Sequence, residues 1–147
     1  MELGGKAMNL TNVTAAIIRQ DDKILICQRA EGESCSHLWE FPGGKLEAGE
    51  TLAECLVREC KEELDLTLKI IDVFAQTNYF YGEKEMAFTF FNAEIVGGEL
   101  KCKVHHDIKW VTTEELGNYT FCPADVEIAE RLKNGTNLTC NQKVANI

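Results

Sequence analysis

Apolar and polar positions alternate along the first third of the chain in a way that sets its first elements. Two β-rich runs, VTAAIIRQ from Val13 and ILICQRA ending at Ala30, flank the polar triplet Asp21-Asp22-Lys23 and predict a β-hairpin. A polar loop follows at 31–37, and Trp39 to Gly44 starts extended and ends in a backbone-permissive turn at Gly43-Gly44. The period then changes. Apolar residues at 52, 53, 56, 57, 60 and 64, preceded by Thr51 with Glu54 three residues on, predict a capped amphipathic helix. Leu66 to Gln76 and Glu85 to Val96 read as strands separated by the aromatic run Tyr79-Phe80-Tyr81 and Gly82. Gly97-Gly98 reads as a turn into a strand at Glu99 to Val104, with a short strand at Ile108 to Val111 and a helical turn at Thr113 to Leu116. Pro123 to Lys133 fits a second helix, stopped by Asn134-Gly135. Strands on both sides of an early helix, with another helix at the end, describe an α+β fold, a mixed sheet between helices. The 147 residues fit one domain, with a core from about 10 to 133 and loose ends at 1–9 and 135–147.

A formal charge of -9 narrows the partners. Such a field repels phosphates, so duplex nucleic acid is excluded as a partner, and an anionic substrate needs a local cation. In an acidic chain the simplest one is a divalent metal held by carboxylates. The seven cysteines form no C-x-x-C pair and no zinc-spaced cluster, and read as reduced thiols. Without a signal pattern or a long apolar run, the expectation is a cytoplasmic protein with no membrane contact, a monomer or homodimer.

Glu59, Glu62 and Glu63, spaced i, i+3, i+4, converge on one helix face. Crowded carboxylates repel one another unless a cation sits among them, and hard oxygen ligands suit Mg²⁺, or Mn²⁺. An acidic face offset by Arg58 and Lys61 is also what a solvated helix carries, so the triplet alone leaves both readings open.

Its surroundings decide between them. The stretch from Gly44 through Glu50, Arg58, Glu59, Glu62 and Glu63 to Leu66 resembles the Nudix box, G-x5-E-x7-R-E-U-x-E-E-x-G-U, with U a bulky aliphatic residue. Six matches in one register have chance odds on the order of 10⁻⁸. Cys60 stands where the pattern has an aliphatic residue and Asp65 where it has glycine. A buried thiol packs as a small hydrophobe, and Asp tolerates a left-handed backbone. LWEFPGGKLEAGET, Gln28-Arg29-Ala30, Trp110-Val111 and Cys122-Pro123-Ala124-Asp125 extend the resemblance, toward the MutT-like branch, over about residues 13 to 133.

The resemblance implies a Nudix fold and Mg²⁺-dependent hydrolysis of a nucleoside triphosphate to the monophosphate and pyrophosphate. It implies that Glu59, Glu62 and Glu63, with the carbonyl of Gly43, hold the metal, that Arg58 orients the glutamates and that Glu50 supports them. Among these, Glu59 is favoured as the base that accepts the proton of the attacking water. Arg29, Gly44, Lys45, Tyr79 and Asp125 are the expected substrate contacts, with Tyr79, Phe80 and Tyr81 together a candidate stacking surface for the base. Arg29 is equally readable as an exposed strand residue, Tyr79 as core and Asp125 as a cap of the last helix. Relatives often carry a further glutamate six residues before the matching tryptophan, where this chain has Val104; Asp107 is a candidate replacement, and His105 and His106 read as surface residues. An ionised Asp125 only accepts hydrogen bonds and favours a donor-rich base edge, as on cytosine or guanine. Pro123-Ala124-Asp125 resembles the CTP pyrophosphohydrolase subgroup as much as the 8-oxo-dGTP subgroup, so 8-oxo-dGTP or dGTP and (d)CTP are the candidate substrates. The competing class is a Nudix-fold sensor that binds without cleaving; such modules are expected to lose box carboxylates, and here all are present. An acidic calcium-binding protein lacks support, since no D-x-[DN]-x-[DN]-G loop occurs.

Overall fold

The apolar runs of the first two strands are continuous because both of their faces are covered. In the computed structural model, which describes residues 10–146 and side chains to 135, β1 (Leu10–Gln20) and β2 (Lys23–Gln28) lie at the centre of the sheet. Ala15, Ile17, Ile24 and Ile26 point into one core, Ala16, Ile18, Leu25 and Cys27 into the other. A strand buried on both faces has no polar side to alternate with. Around this pair stand β3 (Trp39–Glu40), β4 (Gly43–Lys45), β5 (Leu66–Tyr81), β6 (Lys84–Gly98) and β7 (Asp107–Thr112).

The main strand order is β3-β2-β1-β6-β5, with β4 paired to β1 and β7 to β2. β1 and β6 run parallel; the other pairings are antiparallel. The hairpin is shorter than its sequence suggests, since β1 and β2 pair only at Arg19↔Ile24 and Gln20↔Lys23 before they diverge. The freed length of β1 takes β4 on one edge and β6 on the other.

Helix α1 (Leu52–Leu64) covers one core with Leu56, Cys60 and Leu64. Helix α2 (Pro123–Asn146) covers the other with Ile128, Ala129 and Leu132. The expected layering of sheet between helices is therefore present. Both halves of the capping box form: Thr51 Oγ1 accepts from the Glu54 N–H at 3.1 Å and the Glu54 carboxylate from the Thr51 N–H at 3.0 Å. Asp65 ends the helix at φ 61°, with Lys61 and Lys101 at 3.1 and 3.3 Å from its carboxylate. Its side chain gains ion pairs that a glycine there would lack.

Four boundaries differ from expectation. Tyr79, Phe80 and Tyr81 belong to β5, paired with Met86, Glu85 and Lys84, because the positive φ of Gly82 closes a tight turn and lets both strands run to their tip. Gly97 and Gly98 end β6 instead of forming a turn, and no strand forms at 99–104. Lys101 there donates its backbone N–H to Leu64 at the end of α1, so its hydrogen bond goes to the helix instead of to a neighbouring strand. The helical turn after β7 is a 3₁₀ helix, Glu114–Asn118. Finally, α2 passes through Asn134-Gly135 to Asn146. A helical glycine costs only about 1 kcal/mol, too little to stop a helix by itself. The loose end expected at 1–9 lies outside the described residues.

Candidate active site

Two glycines bring the acidic helix against the sheet. β4 pairs with β1 through Ala15↔Gly43 and Thr14↔Gly44, threading between β1 and α1. A Cβ on Gly43 would strike the Thr14 carbonyl, and one on Gly44 would occupy the place of the Glu59 carboxylate. The Gly44 carbonyl accepts from the Thr14 hydroxyl at 3.3 Å and faces the Cys55 thiol.

Arg58 gathers the acidic residues. Its Nη1 donates to Glu59 at 3.0 Å and Glu62 at 3.3 Å, its Nη2 to Glu50 at 3.1 Å and to the Lys45 carbonyl at 3.2 Å, and its Nε to Glu50. Arginine's five fixed donors suit such a fan of acceptors. The hydrogen bonds from Arg58 hold the Glu50 carboxyl down at about 2. Glu63 stands apart from this fan. Burial and the neighbouring Glu59 charge raise it to about 8, the response of a carboxylate crowded by another. Gly44 makes room for Glu59, and Glu62 is exposed; an all-oxygen set of this kind fits a hard divalent ion.

A cavity of about 350 Å³ opens beside the glycines. Gly43, Gly44 and Lys45 line one part of it, and Arg29, Glu40, Tyr81, Phe88, Cys122 and Asp125 are among the residues that line the rest. Tyr79 does not line it. Tyr81, two residues on along the same strand face, does, and Tyr79 packs against it with ring centroids 4.9 Å apart. Arg29 is half-buried and its donors are committed: to the Ser34 carbonyl at 2.7 Å, to Glu40 at 3.0 Å and toward Glu33 at 3.3 Å. It braces the 31–37 loop and the cavity wall together.

Asp125 is 5% exposed. Burial, and then the charge of Glu40, push its pKa well above the ordinary carboxylate range, against a smaller opposing pull from Arg29. The raised pKa favours the protonated form over the ionised, acceptor-only one, and a protonated carboxyl donates one hydrogen bond and also accepts. Asp107 turns to its own backbone, accepting from the Ile108 N–H at 2.8 Å.

Glu40 is not among the expected site residues, and His105, expected at the surface, has an enclosed side chain. Glu40 lines the cavity and pairs with Arg29; its placing between the buried Trp39 and Phe41 was the available sign, since alternation turns it to the opposite side. His105 is enclosed between Glu40 and Glu63, and nothing in its polar loop marked it as buried.

The sheet between two helices and the glycine-backed acidic helix are those of the Nudix hydrolases, and the chain belongs to that family, whose NUDIX domain model matches residues 8–132. Within it the chain is MutT-like. It is 32% identical over 123 residues to the CTP pyrophosphohydrolase of Escherichia coli K12, covering 84% of this chain and 91% of that one. It is also 32% identical over 128 residues to the 8-oxo-dGTP diphosphatase of Haemophilus influenzae, covering 86% and 94%. The crystal structure of the MutT protein from Methanosarcina mazei Go1 superposes with a TM-score of 0.77 at 27% identity, covering 86% and 95%. Among the described residues no helix is long and apolar enough to cross a membrane.

Proposed function

We propose that this protein hydrolyses a nucleoside triphosphate to the monophosphate and pyrophosphate, with 8-oxo-dGTP or dGTP and (d)CTP as the candidate substrates. The names of the two curated relatives support that choice. The observation that carries it is the contact of Gly44 with Glu59, which joins the carboxylate face of α1 to a cavity sized for a nucleoside and ending at Asp125.

In this reading Glu59, Glu62, Glu63 and the Gly43 carbonyl hold Mg²⁺ or Mn²⁺, Arg58 fixes Glu59 and Glu62, and Glu50 fixes Arg58. Bound there, such an ion would neutralise the polyphosphate and acidify the attacking water. Glu59, held by Arg58 beside Gly44, accepts that water's proton. Lys45 faces the phosphates at the glycine side of the cavity, Arg29 and Glu40 form its wall, Tyr81 offers a ring to the base, and Asp125 reads the base edge.

A pyrophosphate-release screen over canonical, methylated and oxidised nucleoside triphosphates tests the reading. Release is expected with Mg²⁺, none in excess chelator, and a large loss of turnover in Glu63→Gln with folding intact. Full turnover in chelator, or wild-type turnover in Glu63→Gln, would return α1 to an ordinary solvated helix.

A further inference from the structure

Arg58 orients Glu50, Glu59 and Glu62 but does not reach Glu63. Among the described residues, the basic side chain within ion-pair range of Glu63 is His105, whose Nε2 lies 3.8 Å from Glu63 Oε1 and 3.5 Å from Glu40 Oε2. The ring is only 5% exposed, and its Nδ1 is buried without a hydrogen-bond partner. Enclosing an imidazole with one nitrogen unpaired carries a desolvation cost that an aliphatic side chain of similar size would avoid. What the imidazole offers in return is on its other side, where Nε2 lies within ion-pair range of two carboxylates from different elements. The loop that carries it is pinned, with the His106 N–H on the Gln28 carbonyl at 2.9 Å and the Cys102 thiol on the His105 carbonyl at 3.2 Å.

We propose that His105 is the positioning residue for Glu63, doing for that carboxylate what Arg58 does for Glu59 and Glu62, and tying the metal-binding face of α1 to the Glu40 wall of the nucleotide cavity. The proposal rests on the reading of α1 as a metal site. It makes the loop between β6 and β7 part of the site through His105, next to Val104, which has no carboxylate to offer.

Mn²⁺ binding to the nucleotide-free protein, followed by the EPR signal of the free ion, tests this apart from turnover. The Gln side-chain nitrogen reaches the region of Nε2, whereas Asn and Leu place no donor there. His105→Asn and His105→Leu are expected to weaken Mn²⁺ binding about tenfold or more, the usual effect of losing a ligand's supporting partner. In both, kcat is expected to fall while KM stays nearly constant. His105→Gln is expected to stay within about threefold of wild type in both quantities, as a variant that keeps the donor should. Thermal melts on the same samples establish folding, and Leu, which fills the space without a polar atom, covers the case in which Asn unfolds. Wild-type Mn²⁺ affinity in either folded donor-lacking variant, or equal losses in Gln, Asn and Leu, would overturn the role of His105. Wild-type protein that binds Mn²⁺ no better than Glu63→Gln would overturn the reading of α1 itself, and the role of His105 with it.

Discussion

Asp125 is enclosed at the cavity wall beside Glu40, and a carboxyl group shut away from water keeps its proton to higher pH. The upward shift helps Asp125 keep a proton, and a protonated carboxyl presents a donor beside its acceptor, the hydrogen-bonding pattern of an amide. Asp125→Asn is accordingly expected to hold kcat/KM for the preferred base within about threefold, while Asp125→Leu loses roughly 10- to 100-fold, the cost of leaving a base edge unpaired. Relative kcat/KM across four bases decides it, and equal losses in both variants would mean that Asp125 acts as an ionised acceptor after all. The two glycines separate in the same way. At Gly44 an added Cβ meets the end of the Glu59 side chain, which swings aside at small cost to the fold. Gly44→Ala is therefore expected to lower kcat about 100-fold through a displaced carboxylate, with a melting temperature close to wild type. At Gly43 the obstacle is the Thr14 backbone, so Gly43→Ala is expected to lower the melting temperature well below that of Gly44→Ala. Melting curves and kcat on both variants check the contrast.

Helix α1 depends on its first turn, where Thr51 and Glu54 satisfy each other's backbone N–H groups. Thr51→Ala is expected to cost about 1 kcal/mol. That corresponds to roughly 2–4 °C in melting temperature for a domain of this size, measurable by a thermal scan. The cap was legible from the sequence because capping is local, and so was the convergence of Glu59, Glu62 and Glu63, because it needs only the helical period. Elements whose limits depend on distant partners were less so. The tip of β5 and β6 extends because Gly82 allows it, the 99–104 segment bonds to α1 instead of a strand, and α2 overrides Asn134-Gly135. The same division runs through the site. Residues on one helix could be grouped by spacing, whereas Glu40, His105 and Tyr81 meet the site from β3, the β6–β7 loop and the end of β5. No local pattern encodes that meeting, which arises from packing two cores on either side of one sheet.

A chain with a formal charge of -9 that also packs Glu40, Glu59 and Glu63 near one another stores repulsion at its centre, and the pH dependence of its stability should report it. Burial and the Glu59 charge push Glu63 up to about 8 from an ordinary 4.5, so in chelator the native state keeps a proton that the unfolded chain releases earlier. Stability from that proton is complete below 4.5 and is lost as pH rises through about 8. Asp125, also raised, acts in the same direction. Glu50, held at about 2 by Arg58, acts in the opposite sense, its contribution being present above 4.5 and lost only as pH falls toward 2, outside this window. In chelator the melting temperature is therefore expected to fall between about pH 5 and about pH 9, and less steeply in Glu63→Gln, which has no charge to release there. A divalent ion reverses the balance, because its carboxylate ligands bind it deprotonated and it stabilises only the folded state. The rise in melting temperature on adding Mg²⁺ should consequently grow with pH in the wild type and be small at every pH in Glu63→Gln. Thermal melts over that range, with chelator or Mg²⁺, decide the point: parallel curves for the two proteins would mean that Glu63 neither holds the native-state proton nor exchanges it for the ion.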